Sequence, residues 1–284
     1  MERILLVSPN CADLAAPNIE IRQFPDLENY LRIPQIDKVK DKEVCILHRC
    51  YPNQDSKIFQ LLQIIEAVRP AAKKVCAIVP YLPYARQDDV HLHGEVKTAE
   101  MLCKTLLKAG LDELVTFDCH FIKEGPGRHE YAGLSIDNRT MGPELLAYLK
   151  PLANNPVIIS PDIGAAYMVK EEGGVSMEKK RGEYVKGETI FREVIEEKLD
   201  FGVGGRDVVI IDDIIAVGDT MIKAAQACKK GKAKRIICAA VHGLLLSCAF
   251  DKIRAAGARE VIVTDSIPSP AAVVSIRRGL QDFL

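Results

Sequence analysis

Strand-like apolar runs alternate with helix-like stretches along the whole sequence. Eight short runs are rich in Val, Ile, Leu, Phe and Cys, and between them apolar residues recur every three to four positions. Such alternation is typical of β-α-β units, in which a crossover helix joins two parallel strands. It predicts an α/β fold of two similar domains, each a mostly parallel sheet flanked by helices. The predicted strands are Ile4–Val7, Val44–His48, Lys74–Val79, Glu113–Phe117, Pro156–Ser160, Asp207–Ile211, Arg235–Val241 and Glu260–Thr264. The predicted helices are Lys57–Ala67, Lys97–Ala109, Gly142–Lys150, Thr220–Lys230 and Cys248–Ala256.

The length and one polar segment define the expected domain organisation. A chain of 284 residues fits two ordinary domains. We place their boundary where a helix ends before the loop Pro151–Asn155, which gives domains 1–148 and 149–284. Within the second domain, Gly173–Arg206 is polar and ends in glycines. Because loops of this length are usually lids or linkers, we expect a mobile loop near 173–206, with a short helix at Phe191–Lys198.

Composition excludes several classes of protein. Thirty-eight Lys and Arg balance 39 Asp and Glu, for a net charge of −1, whereas non-specific nucleic-acid binders are usually basic. No apolar run approaches the ~18 residues of a membrane helix. The beginning of the sequence lacks the features of a secretory signal, and the nine cysteines include no CxxC pair. We therefore expect a cytoplasmic protein that binds neither nucleic acid nor membrane.

Three predicted strands run directly into polar residues. The strand that ends at Phe117 is followed by Asp118-Cys119-His120, and Ser160 is followed by Pro161-Asp162. The strand that ends at Ile211 is followed by Asp212-Asp213. Because ligands of open α/β sheets bind beyond the carboxyl ends of strands, these are the predicted positions of the chemistry.

The segment VVIIDDIIAVGDTM, residues 208–221, has the strongest functional pattern. Its carboxylates Asp212 and Asp213 can accept hydrogen bonds from neighbouring sugar hydroxyls. Ala216, Val217, Gly218, Asp219 and Thr220 then lead into a helix, whose free N–H groups favour a phosphate. The combination suits a phosphorylated sugar. The alternative is a solvated strand end with Asp219 as an ordinary N-cap.

Other candidates each have a structural alternative. Arg86 offers a planar fork for triphosphate oxygens and Gln87 both donates and accepts, but Arg86 could instead pair with Asp88 or Asp89. Phe24 could stack on a purine, or it could be a core anchor.

Three more candidates are a histidine and two basic residues. His120 could face a metal–phosphate complex, or be a structural histidine. Lys179 and Arg181 could close over the oxygens of a phosphoryl group during its transfer. The alternative is that this run of charged residues is simply exposed to solvent, which is the usual case.

Six segments resemble one known family. VVIIDDIIAVGDTM is similar to the phosphoribosyl pyrophosphate loop shared by type I phosphoribosyltransferases and ribose-phosphate diphosphokinases. The diphosphokinases are favoured by five further segments in the same order, which span most of the chain: Phe24–Glu28, Pro80–Asp88, Phe117–His120, Ser160–Gly164 and Glu178–Arg181, the last in its archaeal form. The resemblance implies two domains of the type I phosphoribosyltransferase fold.

The resemblance also implies an activity and roles for the matching residues. The 1-hydroxyl of ribose 5-phosphate would attack the β-phosphorus of MgATP, giving phosphoribosyl pyrophosphate and AMP. The implied roles are catalysis by Lys179 and Arg181; ATP binding by Phe24, Asp26, Glu28, Arg86, Gln87 and His120; magnesium binding by His120 and Asp162; and ribose-phosphate binding by Asp212, Asp213 and residues 216–220. In this family the Phe24 loop reaches the ATP site of a neighbouring subunit, which implies a homodimer or larger homo-oligomer.

The phosphate loop departs from the family pattern. Val217 lacks a hydroxyl that could bind phosphate, and Asp219 stands where a glycine normally lets the backbone approach. Two alternatives therefore remain: a catalytically impaired regulatory relative, and a phosphoribosyltransferase. Asp219 could also point outward as a cap, with Lys223 one turn later offsetting its charge.

Overall fold

The computed structural model describes residues 2–170, 172–185, 191–198 and 202–284. Contacts divide the chain into two units. The first comprises the chain up to Ile122, Pro126–Arg139 and Ile276–Leu284; the second comprises Lys123–Gly125 and Thr140–Ser275. The boundary predicted at 148/149 thus falls inside the second unit.

The return of Ile276–Leu284 to the first unit has a clear physical cause. Arg139 Nη1 donates hydrogen bonds to Gly279 O at 2.5 Å and to Asp282 Oδ1 at 2.6 Å. The guanidinium groups of Arg3 and Arg139 both lie over the Phe283 ring, at 5.0 and 4.7 Å from its centroid. These contacts join residues far apart in sequence, so no local pattern predicted them.

The first unit is built on a six-stranded sheet with the order β1-β4-β5-β6-β8-β7, parallel except for β7. Its buried strands are the predicted apolar runs, because parallel strands covered on both faces need apolar residues throughout. The elements are β1 (Arg3–Val7), β2 (Glu20–Gln23), β3 (Asn29–Arg32), β4 (Glu43–Leu47), α1 (Gln54–Val68), β5 (Lys74–Ile78), α2 (Thr98–Lys108), β6 (Glu113–Phe117), β7 (Gly127–Tyr131) and β8 (Leu134–Arg139). A separate antiparallel hairpin is formed by β2 and β3.

The second unit contains a fully parallel sheet with the order β10-β9-β13-β14-β15-β16. The elements are α3 (Gly142–Leu149), β9 (Val157–Ser160), α4 (Tyr167–Lys170), β10 (Val175–Ser176), β11 (Glu178–Val185), β12 (Phe191–Lys198), β13 (Asp207–Ile215), α5 (Asp219–Lys230), β14 (Arg235–Gly243), α6 (Ala249–Ala256), β15 (Glu260–Thr264) and β16 (Ala272–Val274). One face of the sheet packs on α5 and α6 through small and branched residues such as Ala224, Cys228 and Ile253. The predicted α/β class with mostly parallel sheets is confirmed.

The helix predicted at Phe191–Lys198 is wrong, because this segment is strand β12. It pairs antiparallel with β11, with Lys179 opposite Glu197 and Arg181 opposite Val194. The backbone hydrogen bonds of a hairpin outweigh the weak helical spacing of its few apolar residues, and Val and Ile favour strands. Residues 186–190 and 199–201, which belong to the predicted mobile loop, lie outside the described residues.

Two further findings concern the whole described chain. None of the helices found in the described residues is long and apolar enough to cross a membrane. All nine cysteines are described, and all are free thiols, with only Cys248 exposed.

Candidate functional site

The carboxyl edge of the second sheet brings together the predicted acidic residues. Strand β13 continues to Ile215, so Asp212 and Asp213 lie inside it and not beyond its end as predicted. Because Ile159 of the parallel neighbour β9 is opposite Ile210, the two aspartates are level with the end of β9 and with Asp162 just beyond it. Asp212 and Asp213 are 6% and 9% exposed. Buried carboxylates need donors or cations. Asp212 Oδ1 accepts a hydrogen bond from the Asp213 N–H at 3.0 Å, and carboxylates can accept several such bonds, so sugar hydroxyls or a metal ion could bind here as well.

Local hydrogen bonds fix the orientation of Asp162. The backbone N–H of Gly164 donates to Asp162 Oδ1 at 2.8 Å. The Ser160 hydroxyl donates to the Asp162 carbonyl oxygen at 2.8 Å and lies 2.8 Å from the Ser176 hydroxyl. The serine pair also ties β9 to the short strand β10, so the carboxylate is held by a rigid strand end.

The predicted phosphate loop leads from β13 into α5. Its N-cap is Gly218, with φ of +88°, and Asp219 and Thr220 are the first two helical residues. A Cβ at 218 would stand 3.1 Å from the Cβ of Ala249, so the turn packs closely on α6. The hypothesis that Asp219 is the N-cap is therefore wrong: only a glycine fits this left-handed, crowded position without strain.

The remaining loop residues leave the helix start accessible. Ala216 and Val217 are partly exposed, and the Ala216 carbonyl oxygen accepts a hydrogen bond from Leu246 N at 2.9 Å. Within the described residues, Asp219 forms no ion pair with Lys223, so the expected offset of its charge does not occur through direct contact. The helix start thus places backbone N–H groups beside the carboxylate of Asp219.

Lys179 and Arg181 lie on the hairpin that leaves the same sheet edge. Ser176 of β10 is opposite Ser160 of β9, and β11 begins only two residues later at Glu178. The backbone of the second hairpin strand, β12, runs beside α5. The hairpin that carries both basic residues thus begins near the end of β9 and has its second strand beside α5.

In the first unit, Arg86 and Gln87 follow β5, which is the parallel neighbour of β6. Gln87 Oε1 accepts a hydrogen bond from the Thr98 hydroxyl at 2.7 Å, which connects it to the start of α2. Arg86 is exposed, and among the described residues it pairs with neither Asp88 nor Asp89; the ammonium group of Lys97 lies 3.6 Å from Asp89. Arg86 thus presents its guanidinium group to solvent at the carboxyl edge of this sheet.

His120 emerges from the neighbouring strand end. Asp118 directly after β6 is fully buried with φ of +38°, and its N–H donates to Arg139 O at 2.7 Å. The N–H of Cys119 donates to Asn138 Oδ1 at 2.9 Å. These bonds turn the chain sharply after the strand, and His120 follows at a partly exposed position. His120 and the Arg86 segment thus follow adjacent strands at one sheet edge.

Phe24, Asp26 and Glu28 form the exposed tip of the β2–β3 hairpin. Phe24 N–H donates to Glu28 O at 2.9 Å, and Asp26 Oδ1 accepts from Glu28 N at 3.1 Å. Phe24 is 49% exposed and meets Tyr30 edge-on at 5.8 Å, so it is not a core anchor. Among the described residues, no hydrogen bond or ion pair links this tip to Arg86.

Sequence reasoning did not single out Lys123 or Gly164. Both lie beside Asp162: a Cβ at Gly164 would stand 3.0 Å from Asp162 Oδ1 and 3.6 Å from Lys123 Nζ. No spacing rule predicts this, since Lys123 comes from the loop after β6. Its position three residues after His120 was the only available signal.

The fold and the candidate site together define a structural class of protein. Two α/β units carry polar residues towards the carboxyl edges of largely parallel sheets, and in the second unit the aspartates of β13 precede the predicted phosphate loop. This arrangement is that of type I phosphoribosyltransferase-like proteins.

Comparisons with known proteins then give the family. Residues 10–110 match the N-terminal domain of ribose phosphate pyrophosphokinase, and residues 195–278 match the phosphoribosyl synthetase-associated domain. Ribose-phosphate pyrophosphokinases of Sulfurisphaera tokodaii and Methanopyrus kandleri are each 32% identical, over 91% of this chain and 87% of theirs. The crystal structure of phosphoribosylpyrophosphate synthetase from Mycobacterium smegmatis superimposes with a TM-score of 0.77 at 25% identity, covering 99% of this chain and 97% of that one. The chain belongs to the ribose-phosphate pyrophosphokinase family.

Proposed function

We propose that this chain transfers the diphosphoryl group of ATP to the 1-hydroxyl of ribose 5-phosphate, giving phosphoribosyl pyrophosphate and AMP. The observation that carries the proposal is the carboxyl edge of the second sheet, where Asp162 and Asp212–Asp213 emerge from neighbouring strands next to the start of α5. An acidic pair beside a helix N-terminus matches a sugar phosphate: the carboxylates accept from hydroxyl groups and the helix start binds the phosphate. Family membership over nearly the whole chain supports the same activity.

The reaction needs no protein nucleophile. The oxygen of the 1-hydroxyl bonds to the β-phosphorus, the bond from that phosphorus to the oxygen it shares with the α-phosphorus breaks, and AMP leaves with that oxygen and the electron pair. The hydroxyl proton passes to solvent. Catalysis then rests on positioning and on stabilising charge on the transferring oxygens.

Each predicted residue has a task in this scheme. Asp212 and Asp213 hold the ribose hydroxyls, and residues 216–220 hold the 5-phosphate. Arg86, Gln87 and His120 bind the ATP phosphates. Lys179 and Arg181, carried on the hairpin, bring positive charge to the diphosphoryl group.

Magnesium fits the side chains that are present. Mg²⁺ is usually held by one or two carboxylates together with substrate phosphates. Asp162 offers an oriented carboxylate, and His120 an imidazole. Among the described residues, no three or more His, Cys, Asp or Glu form a metal-binding group. When bound, Mg²⁺ would neutralise charge on the phosphate oxygens.

The hairpin tip supports an ATP site shared between subunits. Phe24 exposes its apolar ring beside the carboxylates of Asp26 and Glu28. We propose that this tip stacks on the adenine bound by another copy, in a homodimer or larger assembly.

Nine free thiols, eight of them buried, suit the reducing cytoplasm.

A product assay tests the proposal. Purified protein with ribose 5-phosphate, ATP and Mg²⁺ should give phosphoribosyl pyrophosphate and AMP by ³¹P NMR, and omitting either substrate or chelating the metal should abolish both. Lys179→Ala should lower turnover by roughly 10²–10⁴-fold with ATP affinity retained. Lys230→Ala, at the far end of α5, is the matched control and should turn over normally.

The same assay separates the alternatives. No turnover alone, but stable association with an active relative, would indicate a regulatory subunit; the altered residues Val217 and Asp219 are the observation that favours it. Transfer of a nucleobase without ATP would indicate a phosphoribosyltransferase instead.

A further inference from the structure

Lys123 and Asp162 lie close together beside Gly164 in the second unit. A Cβ at residue 164 would stand 3.0 Å from the Asp162 carboxylate oxygen and 3.6 Å from the Lys123 nitrogen. A side chain at 164 would therefore crowd both charged groups. A cation next to an oriented carboxylate can bind a metal–phosphate group, with the carboxylate towards the metal and the ammonium towards phosphate oxygens.

Lys123 is held at this place by its own segment. Lys123–Gly125 belongs to the second unit, although the strands before and after it, β6 and β7, belong to the first. Gly125 has φ of +90°, and a Cβ there would stand 3.3 Å from the ring of Tyr167. This close packing against the segment that follows Asp162 fixes the backbone from which Lys123 extends. The Lys123 residue itself is exposed, so an incoming anion can reach its ammonium group.

The charge in this part of the second unit favours a further cation. Asp162, Asp212 and Asp213 are three carboxylates carried by or directly after neighbouring strands, and a diphosphoryl group carries several negative charges. Two unit charges of like sign ~4 Å apart repel by about 1 kcal/mol in water and about 4 kcal/mol at an effective dielectric constant of ~20. A lysine beside Asp162 offsets this repulsion where the diphosphoryl group must pass.

We propose that Lys123 is a further substrate-binding residue, whose ammonium group contacts oxygens of the diphosphoryl group held at Asp162. The inference rests on the proposed function for the identity of that group. It adds a cation from the loop after His120 to the two basic residues of the β11–β12 hairpin. Gly164 is then a specificity-determining residue, because a side chain there would crowd Asp162 and Lys123.

Equilibrium binding tests the assignment without relying on turnover. Isothermal titration in Mg²⁺ compares two ligands that share the sugar phosphate: phosphoribosyl pyrophosphate, which has the diphosphoryl group, and ribose 5-phosphate, which lacks it. Lys123→Met should weaken binding of phosphoribosyl pyrophosphate roughly 10- to 100-fold and change that of ribose 5-phosphate less than about threefold. Lys123→Arg should restore most of the affinity. Gly164→Ala should reproduce the selective loss while Lys123 is still present.

The matched control is Lys150→Met. It removes an exposed lysine of the second unit, paired with Glu172 at 3.0 Å, and should change the affinity for neither phosphoribosyl pyrophosphate nor ribose 5-phosphate. Unchanged binding of phosphoribosyl pyrophosphate to Lys123→Met would show that Lys123 serves only as a partner of Asp162, and equal weakening of both ligands would show general damage to the unit. Either result overturns the inference. Selective loss in a protein that has no turnover would uphold it and count against the proposed function alone.

Discussion

Replacing Asp219 by asparagine should tighten binding of ribose 5-phosphate. Asp219 is the first residue of α5, partly buried, and has no ion pair with Lys223 within the described residues. A phosphate bound at this helix start would lie close to its carboxylate. Repulsion at ~4 Å ranges from about 1 kcal/mol in water to about 4 kcal/mol at a dielectric constant of ~20. Because the side chain is only partly buried, we take the lower end, ~1–2 kcal/mol, which corresponds to a gain in affinity of roughly 5- to 30-fold.

The same substitution should slightly destabilise the protein. A carboxylate in the first turn of a helix interacts favourably with the helix dipole, by about 0.3–1 kcal/mol. Asp251 occupies the first turn of α6 and is exposed, so Asp251→Asn is the matched control. It should lose similar stability but leave affinity for ribose 5-phosphate unchanged.

Titration calorimetry with ribose 5-phosphate measures the affinity, and thermal unfolding measures the stability. The gain for Asp219→Asn should shrink as ionic strength rises, because salt screens the repulsion. An affinity that stays the same or falls would refute the reasoning. It would mean that the carboxylate points away from the phosphate, or that the phosphate binds elsewhere.

Two further predictions concern the stability of each unit. Gly218→Ala should lower the free energy of unfolding by about 2–3 kcal/mol, because it adds a clash with Ala249 to the strain of a left-handed alanine. Gly205 also has a positive φ, +71°, but lies in open space, so Gly205→Ala should cost only about 1–2 kcal/mol. Equal losses of stability by calorimetry would contradict the steric argument. Burial lowers the pKa of His48 to about 4, below its usual 6.5, so the unfolded chain gains a proton first as pH falls. The stability that depends on neutral His48 is complete above pH ~6.5 and declines towards pH ~4 by about 3 kcal/mol, at 1.36 kcal/mol per pKa unit. Urea unfolding at pH 7 and pH 4.5 should show a smaller decline for His48→Gln; the same decline in both proteins would count against this assignment.

The sequence predicted the buried strands and their helices well. Glu113–Phe117 and Glu260–Thr264 have the predicted bounds, and the six other predicted strands differ from those observed by one to four residues at an end. These strands are covered on both faces, so burial requires the apolar runs that make them recognisable. The exposed strands were missed. β7, with the sequence GRHEY, and the charged hairpin β11–β12 are specified by strand pairing, which no local apolar pattern records.

The same distinction applies to the candidate site. Asp162, Asp212 and Asp213 could be placed at one sheet edge because the ends of parallel strands meet there. Lys123 could not, since its position depends on a three-residue segment that packs with the second unit. The roles of all these residues, and of Lys179 and Arg181, remain predictions for the binding and turnover experiments.

The path of the chain through the two units constrains how the protein is made. Residues 276–284 complete the first unit through Arg139 and Asp282, although Thr140–Ser275 of the second unit is synthesised in between. On the ribosome, the first unit must wait for these residues before its final contacts form, while the second already has all of its chain. A stalled or prematurely terminated product would therefore carry its defect in the earlier-made half.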